Sequence, residues 1–337
     1  MYTLAAEYYT NTDLFAEEKN KIFMNCWIPV AHCSEFKDSQ YIIERELVGF
    51  SLLLVHDNGV YRGFHNVCRH RAGPLLWSGE AKKAKALRCR YHGWRYGLCG
   101  KLTNTPDFGA EVPKDSFPLL VVAVQVWNGM LFVNLAEEPC QFEDFIQTFQ
   151  HTTPAKIGSF VFHSSVRHKI NCNWKTYVEN YLEGYHIPYM HPSLRSSIQQ
   201  SKYSVGVHKN LITHEVPSAK ESSVEGFWAY LWPNTALNLY GSGMSIERIL
   251  PLDTENVVIH YLYLFQPDCP IAEREAAIEM SRIVTEEDIQ ICNQVYRNLQ
   301  TGVYQRGLLS PKHEVGVGAF QDWYRQGMGI DHSPNIA

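Results

Sequence analysis

The chain has little that would tie it to a nucleic acid or a bilayer. Lys and Arg number 30 against 35 Asp and Glu. The net charge is -5 at pH 7 and the pI is near 6.3, so no broad basic surface is available to neutralise phosphates. No uninterrupted apolar run reaches the roughly 18 residues a membrane span needs, and none is expected to cross one. The opening "MYTLAAEYYTNTDLFAEE" has an early Glu and no basic stretch, so no signal peptide is expected. Repeats and low-complexity tracts are missing. So is a dinucleotide fingerprint, since "VGVGAF" (315–320) does not follow a strand and open a helix in the required way. Cysteine is scarce: nine scattered residues, an odd number, suit a reducing cytoplasm rather than a disulfide framework. With 45% hydrophobic and 19% charged residues, a sizeable core is feasible, in one large or two ordinary domains.

The pattern along the chain predicts an α+β organisation. Residues 11–25 read as a helix with Leu14, Phe15, Ile22 and Phe23 on one stripe. From about 40 to 135 come short β segments. "VGFSLLLVHDNGVYRGF" reads as a hairpin turning at Asp57-Asn58-Gly59, and "VAVQVWNGMLFVNL" as one turning at Asn128-Gly129. "GEAKKAKA" (79–86) reads as an exposed loop and "AEEPC" (136–140) as a linker. A helix at 142–150, strands at 157–171, a helix at 173–186, strands at 203–265, a long helix at 271–300 and a Gly-rich tail follow. That order predicts a mostly antiparallel sheet flanked by helices.

Two short stretches break the bland reading. "NVCRHRAGP" (66–74) holds Cys68-x-His70, and "CRYHGWRYG" (89–97) holds Cys89-x-x-His92. Each lies in a turn after an expected strand, so two facing loops would present two thiolates and two imidazoles. Zinc accepts that set as a structural site. A [2Fe–2S] cluster accepts it too, with Cys on one iron and His on the other, and the neutral imidazoles raise its potential. The four residues alone leave zinc and iron–sulfur both open.

The third informative stretch is "NCNWKTYVENYLEGYHIPYMHPSL" (171–194). As a helix it places Trp174, Val178, Tyr181 and Tyr185 on one face and Glu179, Glu183 and His186 on another. Pro188 is expected to stop it, so that the chain turns and aims His186 and His191 at one point. Two histidines need a carboxylate to complete a facial triad with open positions. In "VTEEDIQICNQVYRNL", Val284, Ile291, Val295 and Leu299 form an apolar stripe with Asp288 in its middle, whereas Glu287 lies off it. A carboxylate on a core face is costly unless paired or metal-bound. The plainer alternative for Asp288 is a partly exposed helix residue.

"C-R-H-R-A-G-P" followed by "C-R-Y-H-G-W" resembles the cluster motif of Rieske proteins, and "E-N-Y-L-E-G-Y-H-x4-H-P" with "E-E-D-I-Q-I-C" resembles the iron motif of Rieske non-haem iron oxygenases. The resemblance runs from "CWIPVAH" (26–32) to the tail and is nearest in style to the choline-, carnitine- and betaine-type monooxygenases. One departure is the slightly long spacing at 71–88, which the Lys-rich residues 82–85 can absorb.

The resemblance implies a small all-β Rieske domain (40–137) inserted in a catalytic domain (1–39 and 138–337) of helix-grip type, with an antiparallel sheet and long helices. It implies Cys68, His70, Cys89 and His92 as cluster ligands, and His186, His191 and Asp288 as ligands of one mononuclear Fe(II). Glu183 would be the acidic bridge to a Rieske histidine of a neighbouring subunit in a homotrimer. Electrons would come from NAD(P)H through a separate flavin- and iron–sulfur-containing reductase.

The implied activity is cytoplasmic hydroxylation or oxidative N-demethylation of a small organic substrate by O2, mono- against dioxygenation being open. Trp228, Tyr230, Asn238, Tyr240, Arg248 and Tyr261 would line the pocket. Its aromatic rings suit a quaternary ammonium or amino-acid-like compound through cation–π contact, with Arg248 for a carboxylate. An aromatic acid is the alternative substrate, and aromatics that merely fill the sheet core are the plain one. A Rieske electron carrier without oxygenase activity would leave His186, His191 and Asp288 unexplained. A zinc-stapled binding protein is a further alternative.

Overall fold

The computed structural model describes residues 1–153, 155–197, 203–216 and 226–330. Residues 217–225 of the stretch expected as strands, and 331–337 of the tail, lie outside the described residues. The chain divides into two compact units, Asn25–Phe142 and Met1–Met24 with Glu143–Ala337.

The Asn25–Phe142 unit is all-β apart from short 3-10 turns. Its strands are β1 (Ile28–His32), β2 (Tyr41–Leu47), β3 (Phe50–Asp57), β4 (Val60–His65), β5 (Ala81–Lys83), β6 (Leu87–Arg88), β7 (Arg95–Tyr96), β8 (Leu102–Asn104), β9 (Val121–Trp127) and β10 (Met130–Asn134). Seven form one sheet in the order β1-β10-β9-β4-β3-β2-β5, and β6-β7-β8 form a smaller one. The unit is wider than residues 40–137 because β1 pairs with β10.

Both expected hairpins are present. Their Asn-Gly turns take positive φ at both positions, 50° and 77° at Asn58-Gly59 and 47° and 78° at Asn128-Gly129. That backbone twist matches the flanking strands. The lysine-rich loop expected at 79–86 contains a strand instead. β5 pairs with β2 through Ala81, Lys82 and Lys83 and forms the sheet edge, where lysines discourage further pairing.

The larger unit carries a seven-stranded antiparallel sheet ordered β11-β17-β16-β15-β14-β13-β12. These strands are β11 (Val161–Ile170), β12 (Ser204–Val207), β13 (Leu211–Val216), β14 (Gly226–Leu231), β15 (Thr235–Tyr240), β16 (Gly243–Pro251) and β17 (Val257–Phe265). The helices are α1 (Glu7–Thr10), α2 (Thr12–Lys21), α3 (Phe142–Thr152), α4 (Trp174–Tyr181), α5 (Ile187–Met190), α6 (Pro192–Ser197), α7 (Ile271–Gln300) and α8 (Val315–Met328). One sheet face meets α4 and α7. Tyr177 donates to Glu247 at 2.9 Å, Tyr181 to Asn238 at 2.9 Å, and Tyr261 pairs with Thr285 at 2.8 Å.

The informative helix is shorter than expected. α4 starts at an Asn173 cap whose side chain accepts from the Lys175 N–H, and it ends at Tyr181. Pro188 does not stop it. It sits in the first turn of α5, with His186 as N-cap and His191 as C-cap. A proline is tolerated there because the first-turn N–H has no helical partner to lose.

α7 matches its expected span, but its buried stripe is Thr285, Asp288, Cys292, Tyr296 and Leu299. Asp288 is on it, whereas Val295 is 41% exposed. The expected Gly-rich tail is helical at α8. A Cβ on Gly316 would come within 2.5 Å of the Leu182 carbonyl oxygen, so glycine there serves the close approach of α8 to the end of α4.

Candidate metal centres

The first Cys/His stretch follows β4 and the second spans the turn from β6 to β7. Backbone bonds shape both. Cys68 N–H reaches Gly73 O at 2.9 Å, Cys89 N–H reaches Trp94 O at 2.8 Å, and Arg90 N–H reaches across to Pro74 O at 3.0 Å. Positive φ at Ala72 (53°) and Gly93 (73°) turns each loop. Gly73 leaves the room the two loops need, since a Cβ there would lie 3.0 Å from Cys89 Sγ. Cys68 and Cys89 are buried in the core beside Trp94 and Tyr96.

The two thiols lie together, and the imidazoles of His70 and His92 have ring centroids 4.6 Å apart. His70 is held flat on Trp94, 4.8 Å away and 9° from parallel. Burial pushes the Cys68 thiol up, against a Tyr96 hydroxyl 3.2 Å from its sulfur. His70 Nδ1 is buried without a hydrogen-bond partner among the described residues. A buried imidazole nitrogen left bare beside a second imidazole and two thiols fits a two-thiolate, two-imidazole cluster.

In the larger unit, His186, His191 and Asp288 place one ligand atom each within 4.8 Å of one another. His186 Nε2 and His191 Nε2 are 3.1 Å apart. Asp288 Oδ1 lies 3.1 Å from His191 Nε2 and 3.8 Å from His186 Nε2. Donors at right angles about one ion, each roughly 2.1 Å from it, stand about 3.0 Å apart. The set therefore fits one face of a metal's coordination sphere and leaves the opposite face open. The four-residue α5 produces this geometry by setting its two flanking histidines toward one point.

Each donor is held from behind. Glu183 accepts from His186 Nδ1 and from the backbone N–H groups of Tyr185 and His186. Glu287 Oε2 meets His191 Nδ1 at 2.6 Å. Asn180 donates to Asp288 Oδ1 at 2.7 Å. Burial lowers the His191 pKa, but Asp288 and Glu287 outweigh it and hold the imidazole above its usual value. Carboxylate–histidine pairs of this kind fix tautomer and ring orientation at metal sites. Sequence reading placed Glu287 off the apolar stripe and left it without a role. The signal was available, since a residue one position from a ligand on a helix can reach the ligand's neighbour. Glu179, expected beside Glu183, joins a separate cluster, accepting from Tyr9 at 2.7 Å and Gln321 at 2.8 Å.

Cross-strand register sorts the expected pocket residues. Asn238 pairs with Trp228 and Ser245, and Glu247 with Ala236 and Tyr261. Since alternate residues share a face, Trp228, Tyr230, Asn238, Tyr240 and Tyr261 lie on the face that meets α4 and α7. Tyr230 spends its hydroxyl on the Pro233 carbonyl. Arg248 is not brought to that face. It pairs with Thr235 and His260 across the sheet, is buried, and lies 3.2 Å from His260 Nδ1.

Two further residues of the α4/α7 face escaped the sequence reading, His214 and Glu247. Burial pushes Glu247 up to about 7, against bonds from Tyr177, Asn238 and Tyr261. Burial lowers His214 to about 3. Both sit in strands whose alternation reads as ordinary sheet.

Each donor set lies in a stretch of the chain that matches a known family. The Rieske [2Fe-2S] domain model matches residues 26–125. The ring hydroxylating alpha subunit (catalytic domain) model matches 157–220 and 208–330. The carnitine monooxygenase oxygenase subunit of Escherichia coli (strain K12) is 29% identical over 325 residues, covering 90% of this chain and 86% of that protein. Chloroplastic choline monooxygenase of Arabidopsis thaliana is 26% identical over 332 residues, covering 90% and 78%.

Among solved structures, a quaternary ammonium Rieske monooxygenase superposes with a TM-score of 0.89 at 27% identity, covering 97% of this chain and 95% of that one. Naphthalene 1,2-dioxygenase from Rhodococcus sp., with a TM-score of 0.81 at 17% identity and coverage of 98% and 94%, shares the fold. With a catalytic-domain match over just half of its residues and a Rieske-domain match before it, the chain belongs to the ring hydroxylating alpha subunit family and is a Rieske-type non-haem iron oxygenase, an oxidoreductase.

Proposed function

We propose that this chain is the oxygenase component of a two-protein system that hydroxylates or oxidatively N-demethylates a small quaternary ammonium compound. In this reading Cys68, His70, Cys89 and His92 hold the cluster within the Asn25–Phe142 unit, and His186, His191 and Asp288 hold a single Fe(II). The observation that carries it is the meeting of His186 Nε2, His191 Nε2 and Asp288 Oδ1 at one point, with a carboxylate behind each imidazole. Bound there, the cluster supplies single electrons and the iron supplies the place where O2 is reduced.

The protein's own groups do the rest. Glu287 and Glu183 fix which nitrogen of each histidine faces the metal, and Asn180 holds the Asp288 carboxylate. Tyr181, Trp228 and Asn238 border the same sheet face, where aromatic rings suit a cation that carries no hydrogen-bond donor. The names of the carnitine and choline monooxygenase relatives support that choice of substrate. An aromatic acid finds less support, because Arg248 lies on the other face. We place the protein in the cytoplasm as a homotrimer. There Glu183 joins its own His186 to His70 or His92 of the partner subunit, and electrons arrive from NAD(P)H through a flavin- and iron–sulfur-containing reductase. Among the described residues no helix is long and apolar enough to cross a membrane.

The test is reductase-dependent O2 consumption with carnitine, γ-butyrobetaine and choline, scored by product and by formaldehyde release, alongside iron and acid-labile sulfide analysis. The reading requires acid-labile sulfide, iron beyond the cluster's share, and coupled product from at least one compound. A sulfide-free protein containing zinc would end it. So would a cluster-loaded protein that passes electrons but consumes no O2 with any substrate.

A further inference from the structure

His214 lies on β13, directly across from Trp228 on β14, and therefore on the face that meets α4. It is fully buried. Its Nδ1 is bonded to the hydroxyl of Tyr203, but its Nε2 has no partner among the described residues. Buried ring nitrogens are hydrogen-bonded as a rule, so this one calls for an explanation.

The tautomer follows from the bond. Burial and the nearby Glu183 raise the Tyr203 pKa and keep its phenol protonated. No other acceptor for the Tyr203 hydroxyl occurs among the described residues, so its hydrogen goes to Nδ1. Burial also keeps His214 neutral, which leaves the ring's own hydrogen on Nε2. The result is one N–H donor, fixed by a tyrosine and without an acceptor among the described residues. Around it are Tyr181, 5.6 Å between ring centroids, and Trp228 at 6.4 Å. Trp228, Asn238 and Tyr181 keep partial exposure although their face is covered by helices, as lining residues of an open space do. Tyr203 and Trp228 also pack on Ile187, next to His186.

We propose that the Nε2–H of His214 holds an oxygen of the substrate, so that the substrate is a quaternary ammonium compound bearing a carboxylate or hydroxyl oxygen rather than a bare alkylammonium. This rests on the quaternary ammonium reading above. The aromatic rings hold the alkylated nitrogen, and His214 fixes the other end. Tyr203 is the positioning residue that sets the tautomer.

Binding is measured by tryptophan fluorescence on the cluster-loaded protein, since Trp228 adjoins the donor. The probes are γ-butyrobetaine, choline, tetramethylammonium and 3,3-dimethyl-1-butanol, the neutral carbon counterpart of choline. His214→Phe keeps a ring and removes the donor. It should weaken γ-butyrobetaine and choline at least about tenfold, the worth of one good hydrogen bond, and leave tetramethylammonium within about twofold. His214→Gln, which restores an N–H, should recover most of the loss. Tyr203→Phe, which frees the tautomer, should fall between the two.

If His214→Phe does not fold, as judged by cluster absorbance and circular dichroism, the Gln and Tyr203 variants carry the same contrast. Equal losses for tetramethylammonium and choline overturn the proposal, and so does no loss for either. The butanol separates the two readings. Native binding as tight as that of choline removes the quaternary ammonium assignment. In that case weaker butanol binding in His214→Phe still supports His214 as the oxygen anchor, and unchanged binding refutes it. Failure of the native protein to bind any of the four overturns both.

Discussion

At the residue scale, the donors and the residues behind them call for different outcomes. Asp288→Ala removes one of three donors and should abolish iron at the catalytic site and turnover, with the cluster spectrum unchanged. Glu287→Ala leaves all three donors but frees His191 to rotate and change tautomer, so iron affinity should fall by about 10–100-fold while high added Fe(II) restores turnover. Titrating activity against Fe(II) in both variants checks this. Rescue of Asp288→Ala alone would reverse the assignment. Glu183→Gln keeps length and hydrogen-bonding reach but removes charge. Both centres should load and the reductase should still reduce the cluster. Cluster reoxidation with substrate and O2 in a single turnover should slow by orders of magnitude. Native reoxidation rates would return Glu183 to the sole task of orienting His186.

At the scale of elements, the long helix, the two Asn-Gly hairpins and the Cys/His turns were legible because each rests on local rules: a sustained 3.6-residue period, turn chemistry at fixed positions, donor types at short spacing. What was hidden depends on tertiary contact. The end of α4 is not written as a proline or a run of glycines. It falls where Gly184 lets Tyr203 approach, a Cβ there coming 2.6 Å from the Tyr203 ring, and where α8 seats Gly316 on the Leu182 carbonyl. For the same reason "VGVGAF" reads as part of a Gly-rich tail in sequence and is a packed helix in the structure. His214 and Glu247 look like routine strand positions until the sheet register sets them opposite α4. The contact at Gly316 can be tested. Gly316→Ala should cost about 1–3 kcal/mol, the range for a side chain forced into a filled space. Because Leu182 precedes Glu183, catalytic iron should also bind more weakly. Thermal unfolding with iron analysis reads both, and an unchanged melting temperature would show that α8 yields freely.

At the scale of the whole molecule, buried acids shape how stability responds to pH. Glu247 is raised from 4.5 to about 7 by burial, so the fold favours its neutral form. That contribution is complete below the unfolded-state pKa near 4.5 and is lost as pH climbs through about 7. Glu247→Gln stays neutral throughout and also breaks one bond to Tyr177 or Asn238. The native protein should therefore lead the variant by more at pH 5 than at pH 8 in chemical denaturation, and a gap that widens with pH would contradict the assignment. The other large-scale feature is the split of the iron-binding unit by the inserted β unit. Glu18 accepts from Trp174, Lys175 and Tyr324 in the protein interior, and Tyr324 lies 306 residues further along the chain. All the strands of the β unit, by contrast, have been made once β10 leaves the ribosome. The strands of the β unit pair only with one another, whereas the segment before it finds its partners in α4 and α8, so the two stretches that flank the β unit in sequence depend on each other across it.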